Sequence, residues 1–211
     1  MIKPRSRFSC AQQYVYISIV LLGFLTVTGC ERGPLDLVCT PMEVGDLVFS
    51  ELRGNQTGDD TAGQWIEVYN SSASPLNLSG LTLTLMKLDG SSLHEFVVRD
   101  QVLDISAGGF VVLGHMDTPG SLPDHMDYEF GDAFPSKLFT DGILEMRSCQ
   151  ATIDWIAYQD LPKTGSLAFD GNLALTFEAN DQQENWCVDD TIVLPAEAAL
   201  GTPGETNRPC E

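Results

Sequence analysis

Two imidazoles and two carboxylates recur at a fixed interval in this chain, as His115-Met116-Asp117 and His125-Met126-Asp127. Those donor types suit a transition metal. The interval, however, crosses Pro119, Gly120 and Pro123. The mutual geometry of the two triplets is therefore undefined, and a chance repeat in a polar loop is the plainer expectation. A second set of oxygen donors stands in acidic loops: Asn55, Asp59 and Asp60 in one, Asp124, Asp127, Glu129 and Asp132 in another. Calcium takes about six to eight oxygens, yet neither loop follows the D-x-[DN]-x-[DN]-G pattern of a calcium loop. Solvated acidic loops are expected. No metal site is assigned, and calcium is the one cofactor the sequence leaves open.

Glu51, Glu67 and Asn70 form the third candidate group. Glu51 lies at the end of one strand-like run, and Glu67 and Asn70 end the next, so the three could meet and make a small binding site. The structural expectation is that Asn70 caps a turn through its own backbone. Glu67 would accept from loop amides, since a buried carboxylate needs such partners. Nothing resembles catalytic machinery: the chain has no G-x-S-x-G elbow, no P-loop and no G-x-G-x-x-G after a strand. A non-enzyme with no catalytic residue is expected. Trp65, Trp155 and Trp186 are expected in the core. Trp65 and Trp186, beside loops, are the two that could instead offer a flat face to a glycan.

The cysteines take their meaning from the first thirty residues. Lys3, Arg5 and Arg7 precede an apolar run from Tyr14 to Val27, and Thr28-Gly29-Cys30 follows. A charged start, a short apolar run and small residues before a cut describe an export signal. The run is shorter than the roughly 18 residues that a bilayer-crossing helix needs. Val27-Thr28-Gly29-Cys30 resembles the lipobox of bacterial lipoproteins, in which the Cys becomes the lipidated first residue. The resemblance implies a signal peptide over 1–29, acyl chains on Cys30 and a tether over 30–43. Stable attachment takes two or more chains, at about 0.8 kcal/mol per buried methylene. The implied partner is a membrane. The expected location is the bacterial cell envelope, with the outer membrane favoured and the face left open. Export makes Cys39, Cys149, Cys187 and Cys210 disulfide candidates. Their spacing does not choose among three connectivities. Cys39 with Cys149 and Cys187 with Cys210 is the expected pairing, because the second bond would pin the C-terminal tail.

Removing residues 1–29 takes three of the eleven Lys and Arg and none of the thirty Asp and Glu, which leaves 182 residues at −22. Such a surface repels phosphate backbones, so nucleic acid is not an expected partner. The remaining chain must position its candidate residues with short strands. Val44 to Leu52, Gln64 to Asn70 and Leu81 to Lys87 are strand-like, the last alternating at period two so that its leucines share a face. Asp89-Gly90 turns into Leu93 to Val98. Gly109 to Gly114, Gly142 to Arg147, Thr152 to Tyr158 and Ser166 to Phe169 complete the set, with a Pro/Asp/Gly-rich connection over roughly 115–136 and an irregular tail from Asp189. About seven short strands with frequent turns argue for an all-β, antiparallel sandwich.

Ser50-Glu51, Trp65 to Asn70, Leu76 to Gly80, Ile105 to Leu113, Asp154 to Tyr158 and Gly201-Thr202-Pro203-Gly204 through Asn207 together resemble the lamin tail domain. These pieces span most of 44–207. Leu81 stands where that family commonly has an aromatic residue. The resemblance implies an immunoglobulin-like β-sandwich over 44–211 with no activity of its own. The expected function is a membrane-anchored envelope lipoprotein whose sandwich binds a protein or a glycan. The alternatives are an accessory subunit of an exported hydrolase and, last, a metal-dependent enzyme.

Overall fold

The computed structural model describes residues 39–58, 60, 62–115, 122–131, 134, 137–191 and 201–211. The expected export signal, Cys30 and most of the expected tether lie outside the described residues, as do Asp59, Met116, Asp117 and Asp132. The described chain is all-β: β1 (Leu47–Arg53), β2 (Gln64–Asn70), β3 (Leu76–Asn77), β4 (Thr82–Met86), β5 (His94–Val97), β6 (Asp104–Ile105), β7 (Phe110–His115), β8 (Tyr128–Glu129), β9 (Gly142–Ser148), β10 (Ala151–Tyr158), β11 (Ser166–Phe169) and β12 (Trp186–Asp189). Among the described residues no helix is long and apolar enough to cross a membrane.

The strands form a six-stranded sheet in the order β12-β11-β1-β2-β7-β8, a four-stranded sheet β10-β9-β4-β5, and a small ribbon β3-β6. Leu47, Phe49, Leu52, Ile66, Val68 and Leu113 of the first sheet share one buried cluster with Leu83, Leu85, Phe96, Leu144, Met146 and Ile156 of the second. Two sheets that bury facing side chains in a common core have the layout of a β-sandwich. Pairing is antiparallel throughout except between β7 and β8, which run parallel. This corrects the purely antiparallel expectation. The chain crosses over from β7 to β8 through the connection after His115, and a crossover permits parallel pairing where a tight hairpin does not. The strands additional to those expected are β3, β6, β8 and β12. Three of these have two residues each, too few to show a period.

A bulge at Ser50 sets the phase of β1. Phe49 pairs with Val68, and the next paired residue is Glu51, opposite Glu67. Without the extra residue, Glu51 would follow Phe49 in the two-residue period and point into the core, because a one-residue slip exchanges the faces of a strand. With it, Leu52 turns inward and Glu51 and Arg53 turn to the outer face. That outer face is also covered. Every residue of β1 is buried, as is all of β2 except Tyr69, which is half-buried.

The cover is the C-terminal segment 201–210, which lies against this sheet. Cys187 of β12 is joined to Cys210, and Cys39 to Cys149. The Gly171 amide donates to the Arg208 carbonyl (3.0 Å), and the Cys210 amide donates to Asp170 Oδ1 (3.1 Å). An added Cβ on Gly171 would sit 1.9 Å from the Asn207 oxygen. Only glycine permits that approach.

Candidate functional site

Glu51 and Glu67 face each other across β1 and β2, fully buried beneath the C-terminal segment. Each receives a backbone amide from it. The Thr202 N–H donates to Glu51 (3.0 and 3.2 Å to its two oxygens), and the Gly204 N–H donates to Glu67 Oε2 (2.6 Å). Hydroxyls complete the pair: Ser166 donates to Glu51, and Ser50, the bulge residue, donates to Glu67 at 2.6 Å. Asn207 reaches the Ser50 carbonyl through Nδ2 (2.8 Å), and its Oδ1 accepts from the Thr202 hydroxyl (2.9 Å). Two carboxylates thus clasp a strap of backbone to the sheet.

Burial pushes the Glu51 carboxyl up to about 7, against the Ser166 and Thr202 hydrogen bonds that pull it down. Burial, and then the adjacent Glu51 charge, hold Glu67 well above the usual carboxylate range. Two like charges this enclosed titrate as a pair. Such a pair can store a proton. With the strap down, backbone covers it.

Asn70 sits apart from this pair, at the end of β2. Its Nδ2 donates to the Ser74 and Ile105 carbonyls, and its Oδ1 accepts from the amide and hydroxyl of Ser72. All its hydrogen-bonding capacity goes into the 71–74 turn and β6. The structure therefore brings Glu51 and Glu67 together and leaves Asn70 out. Asp154 is a further buried carboxylate. β11 pairs with β1 only at Glu51 and Leu52, which leaves the Phe49 N–H without a strand partner. Asp154 accepts it (2.9 Å) together with Asn180 Nδ2 (2.8 Å), and Asn180 also donates to the Phe49 carbonyl. Two side chains here take the place of a strand. Burial pushes Asp154 up to about 7.

Of the histidine repeat, the described residues His115, His125 and Asp127 each take separate partners. His125 Nε2 meets the Ala62 carbonyl (3.0 Å) and its ring stands edge-on to Trp65; burial holds it below the ordinary imidazole range. His115 stacks on Phe130, with Nδ1 4.0 Å from Glu129. Asp127 accepts the Val112 amide. Asp60 forms a two-point ion pair with Arg53, a buried side chain that also lies over the Trp65 ring. Among the described residues no three His, Cys, Asp or Glu side chains gather to hold a metal.

An open cleft of about 230 Å³ lies beside the strap. Tyr69 and Phe110, neighbours across β2 and β7 with ring centroids 5.0 Å apart, line it with Phe169 and Asp170. Thr206 and Asn207 of the strap form part of its wall. Of the tryptophans, Trp65 is fully buried and Trp186 donates Nε1 to the Asn180 carbonyl, whereas Trp155 is 46% exposed. The expectation for Trp155 was therefore wrong: it sits on β10, an edge strand of its sheet, with its side chain open to solvent. The chain matches no protein-family model and no curated protein.

Sequence reasoning named both clasp carboxylates. It did not reach Ser166, Asn180 or Asp170. A serine opening a strand, and an asparagine and an aspartate outside strands, carry no periodic signal, and their roles depend on segments remote in the chain.

Proposed function

We propose that this chain is a non-catalytic lipoprotein of the bacterial cell envelope, anchored through Cys30, whose lamin-tail-type, immunoglobulin-like sandwich is a glycan-binding module. The observation that carries the reading is the cleft beside the strap. Aromatic rings line it, and Asp170 and Thr206 stand beside them with polar groups. Sites of this mixed kind orient a small polar ring by its apolar face and its hydroxyls. The perturbed carboxylates, in contrast, are closed off by backbone, which supports the non-catalytic role. The lipobox-like Val27-Thr28-Gly29-Cys30 supports the anchor.

Sedimentation tests both halves. Chain purified from membranes in detergent is expected to pellet with isolated peptidoglycan sacculi, and Tyr69→Ala with Phe110→Ala to weaken that binding about tenfold. No pelleting with sacculi, together with crosslinking in membranes to a single hydrolase, would replace the glycan reading with the accessory-subunit one. Cys30→Ser is expected to move the protein to the soluble fraction with an unchanged melting temperature. An unfolded Cys30→Ser protein would show that anchor and domain are not separable.

A further inference from the structure

We propose that segment 201–208, tethered beyond its end by the Cys187–Cys210 disulfide, is an acid-closed latch: it is held down while the Glu51–Glu67 pair keeps a proton, and it lifts as both carboxyls ionise. The geometry is specific to this purpose. The two carboxylates stand side by side on one face of the sheet. Each takes a strap amide, Thr202 at one and Gly204 at the other. Gly201 fixes the seat: its φ is +126°, and a Cβ there would lie 2.2 Å from Glu51 Oε1.

Among the described residues, the charged groups that bear most on the pair are acidic. Glu51 faces Asp189 of β12, and Ser166 of β11 donates to it. Glu67 faces Glu51 and, from the connection before β8, Asp127. Arg53, on the same strand, is bound to Asp60 and to the Gly63 carbonyl. On the strap itself, Glu205 and Arg208 are exposed. With the strap down, ionisation places two negative charges together out of water. With the strap lifted, water reaches both, and their carboxyls return towards ordinary values.

The sign follows from proton binding. The closed state holds more protons than the open one, so acid favours closure and rising pH favours opening. Glu51, at about 7 closed against 4.5 open, changes the opening constant by about 70-fold between pH 5 and 8 by linkage alone. Glu67 acts in the same direction. Because the strap supplies Thr206 and Asn207 to the cleft wall, opening also dismantles the cleft. That consequence rests on the proposed binding role, whereas the latch does not.

Hydrogen exchange of the full chain in detergent, read on peptides covering 201–210 at pH 5 to 8, tests the latch. After correction for intrinsic exchange, protection of the Thr202 and Gly204 amides is expected to fall by about 70-fold or more across that range. The Glu51→Gln/Glu67→Gln variant is expected to lose this slope, and Gly201→Ala to leave the strap unprotected at every pH. Constant protection in the wild-type chain from pH 5 to 8 overturns the proposal even if no variant folds, and so does a slope that survives in the double variant. Binding to peptidoglycan sacculi is measured on the same samples. Loss of the slope in sacculus binding alone, with the exchange slope intact, sinks the glycan reading and leaves the latch standing.

Discussion

Replacing each disulfide in turn separates two sources of stability. Cys187 and Cys210 close a loop with a separation of 23 residues, and Cys39 and Cys149 one of 110. If a disulfide acts by restricting the unfolded chain, the shorter loop contributes about 3.4 kcal/mol and the longer about 4.8 kcal/mol at 25 °C. Serine pairs at both sites should therefore destabilise unequally, with Cys39→Ser/Cys149→Ser the worse by about 1.4 kcal/mol. For a chain of this size that difference is about 3–6 °C in melting temperature. The assay is thermal unfolding of the full chain in detergent, followed by near-ultraviolet circular dichroism at pH 6, with reversibility checked at each step. The short loop carries the strap, and the strap makes native contacts that the entropic account ignores: Thr202 and Gly204 on the glutamates, Asn207 on Ser50, and the Arg208 carbonyl on Gly171. Equal losses, or a larger loss for Cys187→Ser/Cys210→Ser, would refute the loop-entropy reasoning and assign the stabilisation to those contacts.

Arg53→Ala should cost about 3 kcal/mol in urea unfolding, the lower end of the range for breaking a buried pair, because Asp60 retains 16% exposure. Arg53→Met, which keeps the packing on Trp65 but also lacks the charge, should cost less, and an equal cost would remove that packing from the account and leave the ion pair. Asp154, pushed up from 3.8 to about 7, contributes stability that is fully present below pH 3.8 and lost as pH rises through about 7. The loss amounts to up to about 4 kcal/mol. Asp154→Asn should flatten that part of the pH–stability curve between pH 4 and 8, leaving the part due to the glutamate pair; an unchanged curve would show that Asp154 is already ionised in the fold.

The local elements were largely legible in the residues. Leu81 to Lys87 alternates, and the structure makes Thr82–Met86 a strand with Leu83 and Leu85 fully buried. Asp89-Gly90 joins it to its antiparallel neighbour. The expected cysteine pairing is the one found. These features come from near neighbours in the chain, or from a tail whose composition gives it little structure of its own.

Tertiary structure alone decided what the candidate residues do. Thr202 lies 151 positions from Glu51, and no local pattern announces that a strap will seal that carboxylate. The Ser50 bulge decided which way Glu51 points, and a bulge shows only in the pairing with β2. The order of strands decided that Trp155 is exposed and Trp65 enclosed. Side-chain type determines which hydrogen bonds and charges a residue can offer. Whether water or backbone answers them depends on which distant segment folds over it, and for Glu51 and Glu67 that segment is 201–210.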